Sequence, residues 1–206
     1  LDQGTFLMPQ HGFARDLPWS LEALEDSSGI RLTLTDSAAT RAVYPFAFHL
    51  CLEYRLEPDG LAIRAVIGHG ANAAAASMPF AFGLHPYFGV DALAAARLEG
   101  LPASCFDHLS GGETSTAAQL QHLPQGVDLR VEIPAADQAV PCLTGAWQGT
   151  AVRLQAEPPF DHVVVWTDPP RPMVCLEPWT DRRGVLGLEL APGEQRELRC
   201  RYGLAG

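Results

Sequence analysis

Two short stretches of the sequence carry side chains that could transfer protons. His85 follows Gly83-Leu84 and Glu177 follows Cys175-Leu176, and each stands directly before a proline at the end of a run typical of a β-strand. A residue before proline is biased towards extended conformations, so we expect both side chains to project from rigid strand ends. A histidine and a carboxylate that face each other across a cleft can act as a general acid and a general base. Because the two residues are far apart in the sequence, only the fold can bring them together.

The local sequence around each residue also allows a purely structural role. His85 lies in an apolar, aromatic segment, where a single histidine is commonly a hydrogen-bonded core residue. An ordinary histidine, with a pKa of about 6.5, can nevertheless give or take a proton near neutrality. Glu177 ends an apolar strand beside Trp179, where desolvation would raise its pKa and make it a stronger base. The alternative is a glutamate at a strand end that simply reaches solvent.

A third segment, residues 8–19, is dense in polar groups that a core strand would not carry. Gln10 can both donate and accept hydrogen bonds, and Arg15 offers a planar fork for hydroxyls or for an oxyanion. Gly12 allows the backbone to bend sharply. The segment is compatible with a ligand-contacting loop, and equally with a surface loop that contains a structural His11.

The remaining titratable side chains give weaker signals. Asp128 could accept a hydrogen bond from a ligand hydroxyl, although an aspartate that closely follows a glycine is also common in turns. The sequence has no GxGxxG, P-loop, GxSxG or HExxH motif, which argues against the common nucleotide-binding and metalloprotease classes. Four histidines have no partner at metal-ligand spacing and receive no role here: His49, His69, His108 and His122.

Composition excludes several classes of partner. The net charge of −10 argues against nucleic acids and anionic membrane surfaces as partners, since both need clustered Lys and Arg. A small anionic substrate stays possible, because one or two arginines suffice to hold it. The five scattered cysteines form no CxxC pair, which favours reduced thiols over disulfides or zinc. With no signal peptide and no apolar run of membrane-spanning length, we expect a cytoplasmic protein; its oligomeric state is left open.

Most of the chain has the pattern of strands separated by turns. Residues 31–35 alternate apolar and polar side chains, as a half-buried strand does. Turns with Pro and Gly at residues 57–60 and 191–194 predict two hairpins. No change in composition marks a domain boundary, so we expect residues 1–206 to form one mostly antiparallel β domain, a sandwich or a barrel. Further strands are predicted at residues 46–56, 61–67, 151–155, 162–166, 173–176, 187–190 and 196–202.

Taken together, the ordered segments resemble the aldose 1-epimerase (mutarotase) family. The resemblance is strongest to the branch of hexose-6-phosphate mutarotases, also called glucose-6-phosphate 1-epimerases. Each segment alone is weak, but they occur in the family's order over nearly the whole chain. The segments are Pro9-Gln10-His11-Gly12-Phe13-Ala14-Arg15, Tyr44-Pro45-Phe46, Pro79-Phe80 through Gly83-Leu84-His85-Pro86-Tyr87-Phe88, Val163-Val164-Val165-Trp166, and Cys175-Leu176-Glu177-Pro178-Trp179.

The resemblance implies an all-β, galactose mutarotase-like β-supersandwich that, in this chain, lacks the family's N-terminal strands. It implies an isomerase that interconverts the α and β anomers of a sugar or sugar phosphate without a metal or other cofactor. His85 matches the family's general acid and Glu177 its general base. The positions where the branch places substrate-contacting side chains are occupied by Gln10, His11, Arg15 and Asp128.

Two other functions stay open at this point. A non-catalytic carbohydrate-binding protein could share the fold and expose the same Trp and Tyr side chains. A sugar lyase or hydrolase of similar topology is the second alternative. A hydrolase would need two carboxylates across the scissile bond, whereas this chain offers a histidine and a glutamate.

Overall fold

The computed structural model describes residues 7–71, 76–133, 140–182 and 186–205. Within these residues the chain forms short 3-10 turns, two short α-helices and sixteen strands, and neither helix is long and apolar enough to cross a membrane. The helices are α1 (Ala38–Val43) and α2 (Thr116–Gln119). The strands are β1 (Ser20–Ala23), β2 (Gly29–Thr35), β3 (Phe48–Glu57), β4 (Gly60–His69), β5 (Met78–Phe80), β6 (Tyr87–Gly89), β7 (Arg97–Glu99), β8 (Ser104–Asp107), β9 (Gly112–Ser115), β10 (Asp128–Glu132), β11 (Cys142–Thr144), β12 (Ala151–Ala156), β13 (His162–Trp166), β14 (Met173–Trp179), β15 (Leu188–Leu190) and β16 (Gln195–Ala205).

The prediction of a mostly antiparallel β protein is confirmed, but the expected strand ends at the two proton-transfer residues are wrong. Strand β14 continues past the predicted end and includes Glu177 and Pro178, and His85 lies in the connection between β5 and β6. Pro178 fits within β14 because its carbonyl accepts a hydrogen bond from the Leu84 N–H (3.2 Å), on the edge of the strand opposite β13. The nitrogen of a strand residue lies on the same edge as its carbonyl. The N–H that proline lacks therefore costs no hydrogen bond with β13.

The chain divides into two compact units. The first contains residues 1–56, 63–80 and 188–198, and the second contains residues 57–62, 81–187 and 199–206. In the first unit, β1, β2 and β3 form an antiparallel meander. Ser37 caps the start of helix α1: its side chain accepts a hydrogen bond from the backbone of Thr40, and the Thr40 side chain accepts one from the backbone of Ser37. This reciprocal pair satisfies backbone donors that a helix start otherwise leaves open. The single domain expected for residues 1–206 stays a prediction.

The second unit contains a six-stranded antiparallel sheet in the order β6-β14-β13-β10-β8-β9. It also contains antiparallel pairs that join β7 to β11, β11 to β12, and β12 to β16. In the six-stranded sheet the register is continuous: Glu177 of β14 lies opposite Val164 of β13, which in turn lies opposite Arg130 of β10. Residues directly opposite one another in a sheet project from the same face. The register therefore decides which side chains share a face.

The two faces of the six-stranded sheet differ in chemistry. One face, here called the apolar face, is fully buried and packs as a core; its central residues are Leu129, Val163, Val165, Val174 and Leu176. Because successive side chains of a strand alternate between faces, the intervening residues project from the other side. That side, here called the polar face, carries Asp128, Arg130, Trp166, Cys175 and Glu177. Candidate chemistry is thus concentrated on one side of a rigid sheet.

Candidate active site

The register of the six-stranded sheet brings His85 to Glu177. Tyr87 pairs with Cys175 in the β6–β14 ladder, and an isolated bridge pairs Gly83 with Trp179. Both pairs belong to one antiparallel register, and its continuation between them places His85 directly opposite Glu177. Such partners share a face, with Cβ atoms about 4.5–5.5 Å apart. The predicted meeting of the histidine and the carboxylate is therefore built into the strand pairing.

The two side chains are in direct contact. Nδ1 of His85 lies 3.3 Å from Oε1 of Glu177, and the His85 side chain is 30% exposed while that of Glu177 is 1% exposed. Oε2 of Glu177 accepts a hydrogen bond from the Trp179 indole N–H (3.0 Å). Among the described residues, Oε1 accepts no hydrogen bond. One carboxylate oxygen is thus fixed by the protein, and the other faces the histidine.

Burial shapes the acidity of Glu177. Removal from water raises the pKa of this carboxyl from its ordinary 4.5 to about 8, because desolvation penalises the charged form. The hydrogen bond from Trp179 works in the opposite direction, and the nearby charge of Asp128 adds to the rise. A carboxylate in such a site is a stronger proton acceptor than a glutamate in water.

Aromatic rings surround the histidine. The His85 ring stacks on Tyr87, with centroids 5.1 Å apart and planes 14° apart, and it meets the edge of Trp166 at 5.6 Å. Tyr87 is 57% exposed although it is a large aromatic side chain. An exposed aromatic face beside a proton-transfer pair is suited to pack against the apolar face of a sugar ring.

Asp128 belongs to the same face, one strand beyond Trp166. It lies opposite Trp166 in the β10–β13 register, and its Oδ1 lies 2.7 Å from Nδ1 of His108. The His108 side chain is 7% exposed, and that of Asp128 is 23% exposed. The histidine orients the carboxylate, which retains enough exposure to receive a ligand hydroxyl.

One group of donor atoms in this region could hold a metal ion. A ring nitrogen of His85, Sγ of Cys175 and a carboxylate oxygen of Glu177 all lie within 4.8 Å of one another. Within the described ranges, no other three His, Cys, Asp or Glu side chains come together in this way. Cys175 is fully buried, and burial raises the pKa of its thiol.

The other three predicted contact residues lie in the first unit. Gln10 and His11 are exposed and form a turn, in which His11 has a φ of 66°. Arg15 is exposed in a 3-10 turn, and its Nε lies 3.5 Å from a carboxylate oxygen of Asp16. The indole N–H of Trp19 donates to the carbonyl of Ala14 (2.9 Å) and so stabilises the turn. The expected substrate contacts of Gln10, His11 and Arg15 stay predictions.

Sequence reasoning missed several neighbours of the acid–base pair. His108 received no role because no metal-ligand spacing includes it, yet it contacts Asp128. Cys175 was predicted only as one of five reduced thiols, and Trp166 only as part of a strand and of a family segment. Their positions follow from the register of strands that are distant in the chain. The one local signal is the alternation along β14, which places Cys175 and Glu177 on the same face.

Comparison with known proteins identifies relatives by sequence. The family model described as aldose 1-epimerase matches residues 5–203. A curated protein of Salmonella typhimurium named "Putative glucose-6-phosphate 1-epimerase" is 32% identical over 126 residues, a match that covers 59% of this chain and 40% of that protein. The matched part therefore spans less than half the length of this relative. Its name agrees with the likeness to the hexose-6-phosphate branch inferred from the sequence segments.

Solved structures with the same fold extend the comparison. The Slr1438 protein of Synechocystis superposes with a TM-score of 0.86 at 25% identity, covering 97% of this chain and 70% of that one. A galactose mutarotase-like protein of Lactobacillus casei has a TM-score of 0.74 at 23% identity, covering 100% and 79%. The predicted galactose mutarotase-like fold is thus confirmed. With the family model matched over residues 5–203, the chain belongs to the aldose 1-epimerase family.

Proposed function

We propose that the protein interconverts the α and β anomers of an aldose by acid–base opening and closure of the sugar ring. The observation that carries the proposal is the contact between His85 and Glu177, 3.3 Å apart on the polar face of a rigid sheet. Membership of the aldose 1-epimerase family supports the same chemistry. The reaction needs one proton donor and one proton acceptor close together, and the pair provides both.

In the proposed reaction, the Glu177 carboxylate takes the proton of the C1 hydroxyl while the His85 imidazolium protonates the ring oxygen. The C1–O5 bond breaks, and the open-chain aldehyde rotates about C1–C2. The two residues then exchange roles as the ring closes on the other face, so no proton is gained or lost overall. Because Nδ1 of His85 faces Glu177, we assign the proton delivered to the ring oxygen to Nε2.

The proposed substrate is a hexose, with a hexose 6-phosphate as the preferred form. The name of the Salmonella relative supports the phosphorylated sugar. Asp128, oriented by His108, is assigned to a sugar hydroxyl, and the exposed Tyr87 to the apolar side of the ring. On the resemblance to the family alone, Gln10, His11 and Arg15 are proposed as further substrate contacts, with Arg15 as the candidate partner of a phosphate.

We also propose that the protein is cytoplasmic. Five scattered cysteines, an odd number without a CxxC pair, are typical of reduced thiols. All five are free thiols in the structure. Measuring the distribution of a tagged full-length protein between cell fractions would check this expectation.

The test measures anomer exchange by NMR with glucose and with glucose 6-phosphate, using the wild type and Glu177→Gln. The wild type should accelerate exchange, and the variant should lose about 10²- to 10⁴-fold of that acceleration. Glu132→Gln is the matched control, because Glu132 is an exposed glutamate on the polar face of β10. It should keep the rate of the wild type.

The same experiment separates catalysis from mere binding. A non-catalytic carbohydrate-binding protein would show saturable binding of the sugar and no exchange above the buffer rate. Exchange that survives Glu177→Gln unchanged would remove Glu177 from the mechanism. A wild type without acceleration on either sugar would refute the proposed activity.

A further inference from the structure

We propose that His85, Cys175 and Glu177 bind a zinc ion, which blocks the acid–base pair. The three residues lie on one patch of the second unit's six-stranded sheet. Cys175 and Glu177 alternate along β14 on the polar face, and His85 stands opposite Glu177. Their donor atoms, one nitrogen, one sulfur and one oxygen, lie within 4.8 Å of one another. Zinc is borderline in softness and accepts this mixed set.

The distances fit tetrahedral coordination. Zinc binds histidine nitrogen and carboxylate oxygen at about 2.0–2.2 Å, so two such donors on a tetrahedral ion are about 3.3–3.5 Å apart. The observed separation between His85 Nδ1 and Glu177 Oε1 is 3.3 Å. A thiolate sulfur at about 2.3 Å from zinc would stand about 3.6 Å from either donor. The sulfur, which lies within 4.8 Å of the other two donor atoms, would therefore need to approach each of them by at most about 1.2 Å.

A second observation also indicates a ligand here. Glu177 is 1% exposed, and its Oε1 accepts no hydrogen bond from the described residues. A buried carboxylate oxygen that accepts no hydrogen bond is unfavourable, and a metal ion would satisfy it. A thiolate and a carboxylate together cancel the two charges of zinc, so the occupied site is neutral overall. Neutrality lowers the cost of burying the ion.

The proposed binding reaction balances simply. The ion forms bonds to Nδ1 of neutral His85, to a carboxylate oxygen of Glu177 and to the sulfur of Cys175. The thiol proton, and the carboxyl proton where it is present, leave to solvent, and no electron is transferred. The part-exposed His85 side chain lies towards solvent, and the fourth position is assigned to water. Three protein ligands and one open position are typical of accessible zinc sites.

Zinc would then inhibit the proposed epimerase. The carboxylate oxygen of Glu177 that accepts the proton would be used for coordination. Zinc on Nδ1 of His85 would also keep this histidine from forming the doubly protonated imidazolium that the proposed reaction needs. This consequence rests on the proposed function, whereas the binding itself does not. The two parts are therefore tested with separate measurements.

Binding is tested with cobalt(II) and zinc on the metal-free full chain. Cobalt(II) in the site should give a sulfur-to-cobalt charge-transfer band, and added zinc should abolish it with one equivalent. Cys175→Ser should lose the band, whereas Cys105→Ser should keep it. Cys105 is a matched control because it is also a buried thiol, on β8 of the same sheet. Circular dichroism establishes that each variant is folded.

Further variants keep the test decisive if Cys175→Ser does not fold. Glu177→Gln and His85→Asn retain the thiol. Each should weaken zinc binding by more than about tenfold, because loss of even an outer-shell partner of a ligand costs about 10- to 100-fold. No charge-transfer band in the wild type would overturn the proposal. Zinc affinity unchanged in all the folded variants of the three ligands would also overturn it.

Activity is measured separately. Micromolar zinc should stop anomer exchange by the wild type, and a chelator should restore it. Cys175→Ser, compared with its own metal-free rate, should need at least about tenfold more zinc for the same inhibition. A protein that shows the cobalt band but no metal-free exchange would refute the proposed function and keep the zinc site. Rapid anomer exchange by a protein that shows no cobalt band would support the proposed function and refute the zinc site.

Discussion

Gly83 controls the position of Trp179, and replacing this glycine tests how the active site is held. A Cβ added at Gly83 would lie 2.7 Å from Cδ1, 3.1 Å from Nε1 and 3.2 Å from Cγ of Trp179. Optimal contacts between carbon atoms are about 3.5–4.0 Å, so Gly83→Ala requires the indole to move by about 0.8 Å or more. The moving indole carries the N–H that donates to Glu177 at 3.0 Å. The substitution therefore bends or breaks that hydrogen bond.

The expected magnitude combines two costs. Overpacking a well-filled site costs about 1–3 kcal/mol, and a hydrogen bond to a charged group contributes about 1.5–3 kcal/mol. Since local relaxation recovers part of each, we expect the free energy of unfolding to fall by about 2–4 kcal/mol. For a chain of this length, that corresponds to a Tm lower by about 5–15 °C. Anomer exchange should fall at least about tenfold, because His85 follows Gly83 by two residues and Glu177 loses its fixed orientation.

Thermal unfolding and NMR exchange measure the two effects. Gly89→Ala is the matched control: Gly89 lies in β6 of the same sheet, and a Cβ there would have no atom within 4 Å. This control should change stability by no more than about 0.5 kcal/mol. In a protein that also carries Trp179→Leu, Gly83→Ala should lower the free energy of unfolding much less, because the ring that clashes with the added Cβ is absent. Equal stability and activity of Gly83→Ala and Gly89→Ala would refute the reasoning.

Two further predictions concern stability. The buried hydroxyl of Tyr202 donates a hydrogen bond to the Leu176 carbonyl (2.8 Å), next to Glu177. Tyr202→Phe should therefore lower the free energy of unfolding by about 1–2 kcal/mol, as measured by denaturant titration. A change of less than about 0.3 kcal/mol would contradict this. The hydrogen bond from Arg31 lowers the pKa of Glu53, so its stabilisation is present above a pH of about 4.5 and is lost as the pH falls through the lowered value. Between pH 6 and 3, Glu53→Gln should therefore lose less free energy of unfolding than the wild type. The exposed control Glu25→Gln should lose as much as the wild type. If the stability of Glu53→Gln fell with pH in parallel with that of the wild type, the role given to the Arg31 hydrogen bond would be wrong.

The sequence alone predicted most of the longer strands, and it singled out the two residues that the structure brings into contact. Strand β13 was predicted with its observed ends, His162 and Trp166. Three successive valines followed by a tryptophan form a run long enough to be recognised as a strand. The prolines after His85 and Glu177 drew attention to these residues, and the resemblance to a family assigned their roles. The three-residue strands β6 and β7 escaped prediction because three positions do not define a period. Strand β15 is equally short and was predicted at residues 187–190, beside a turn with Pro and Gly.

Tertiary structure decided everything that depends on register. Whether Glu177 faces His85 or the opposite side of the sheet changes with a shift of one residue, and the pairings of Tyr87 and Gly83 with β14 fix that choice. The contact between His108 and Asp128, and the approach of Cys175 to the acid–base pair, arise in the same way. Residue types and local patterns identify candidate groups, but their distances are set by hydrogen bonds between strands that are remote in the chain. For this reason the sequence identified His85 and Glu177 as the candidate proton-transfer residues, and only the fold showed what surrounds them.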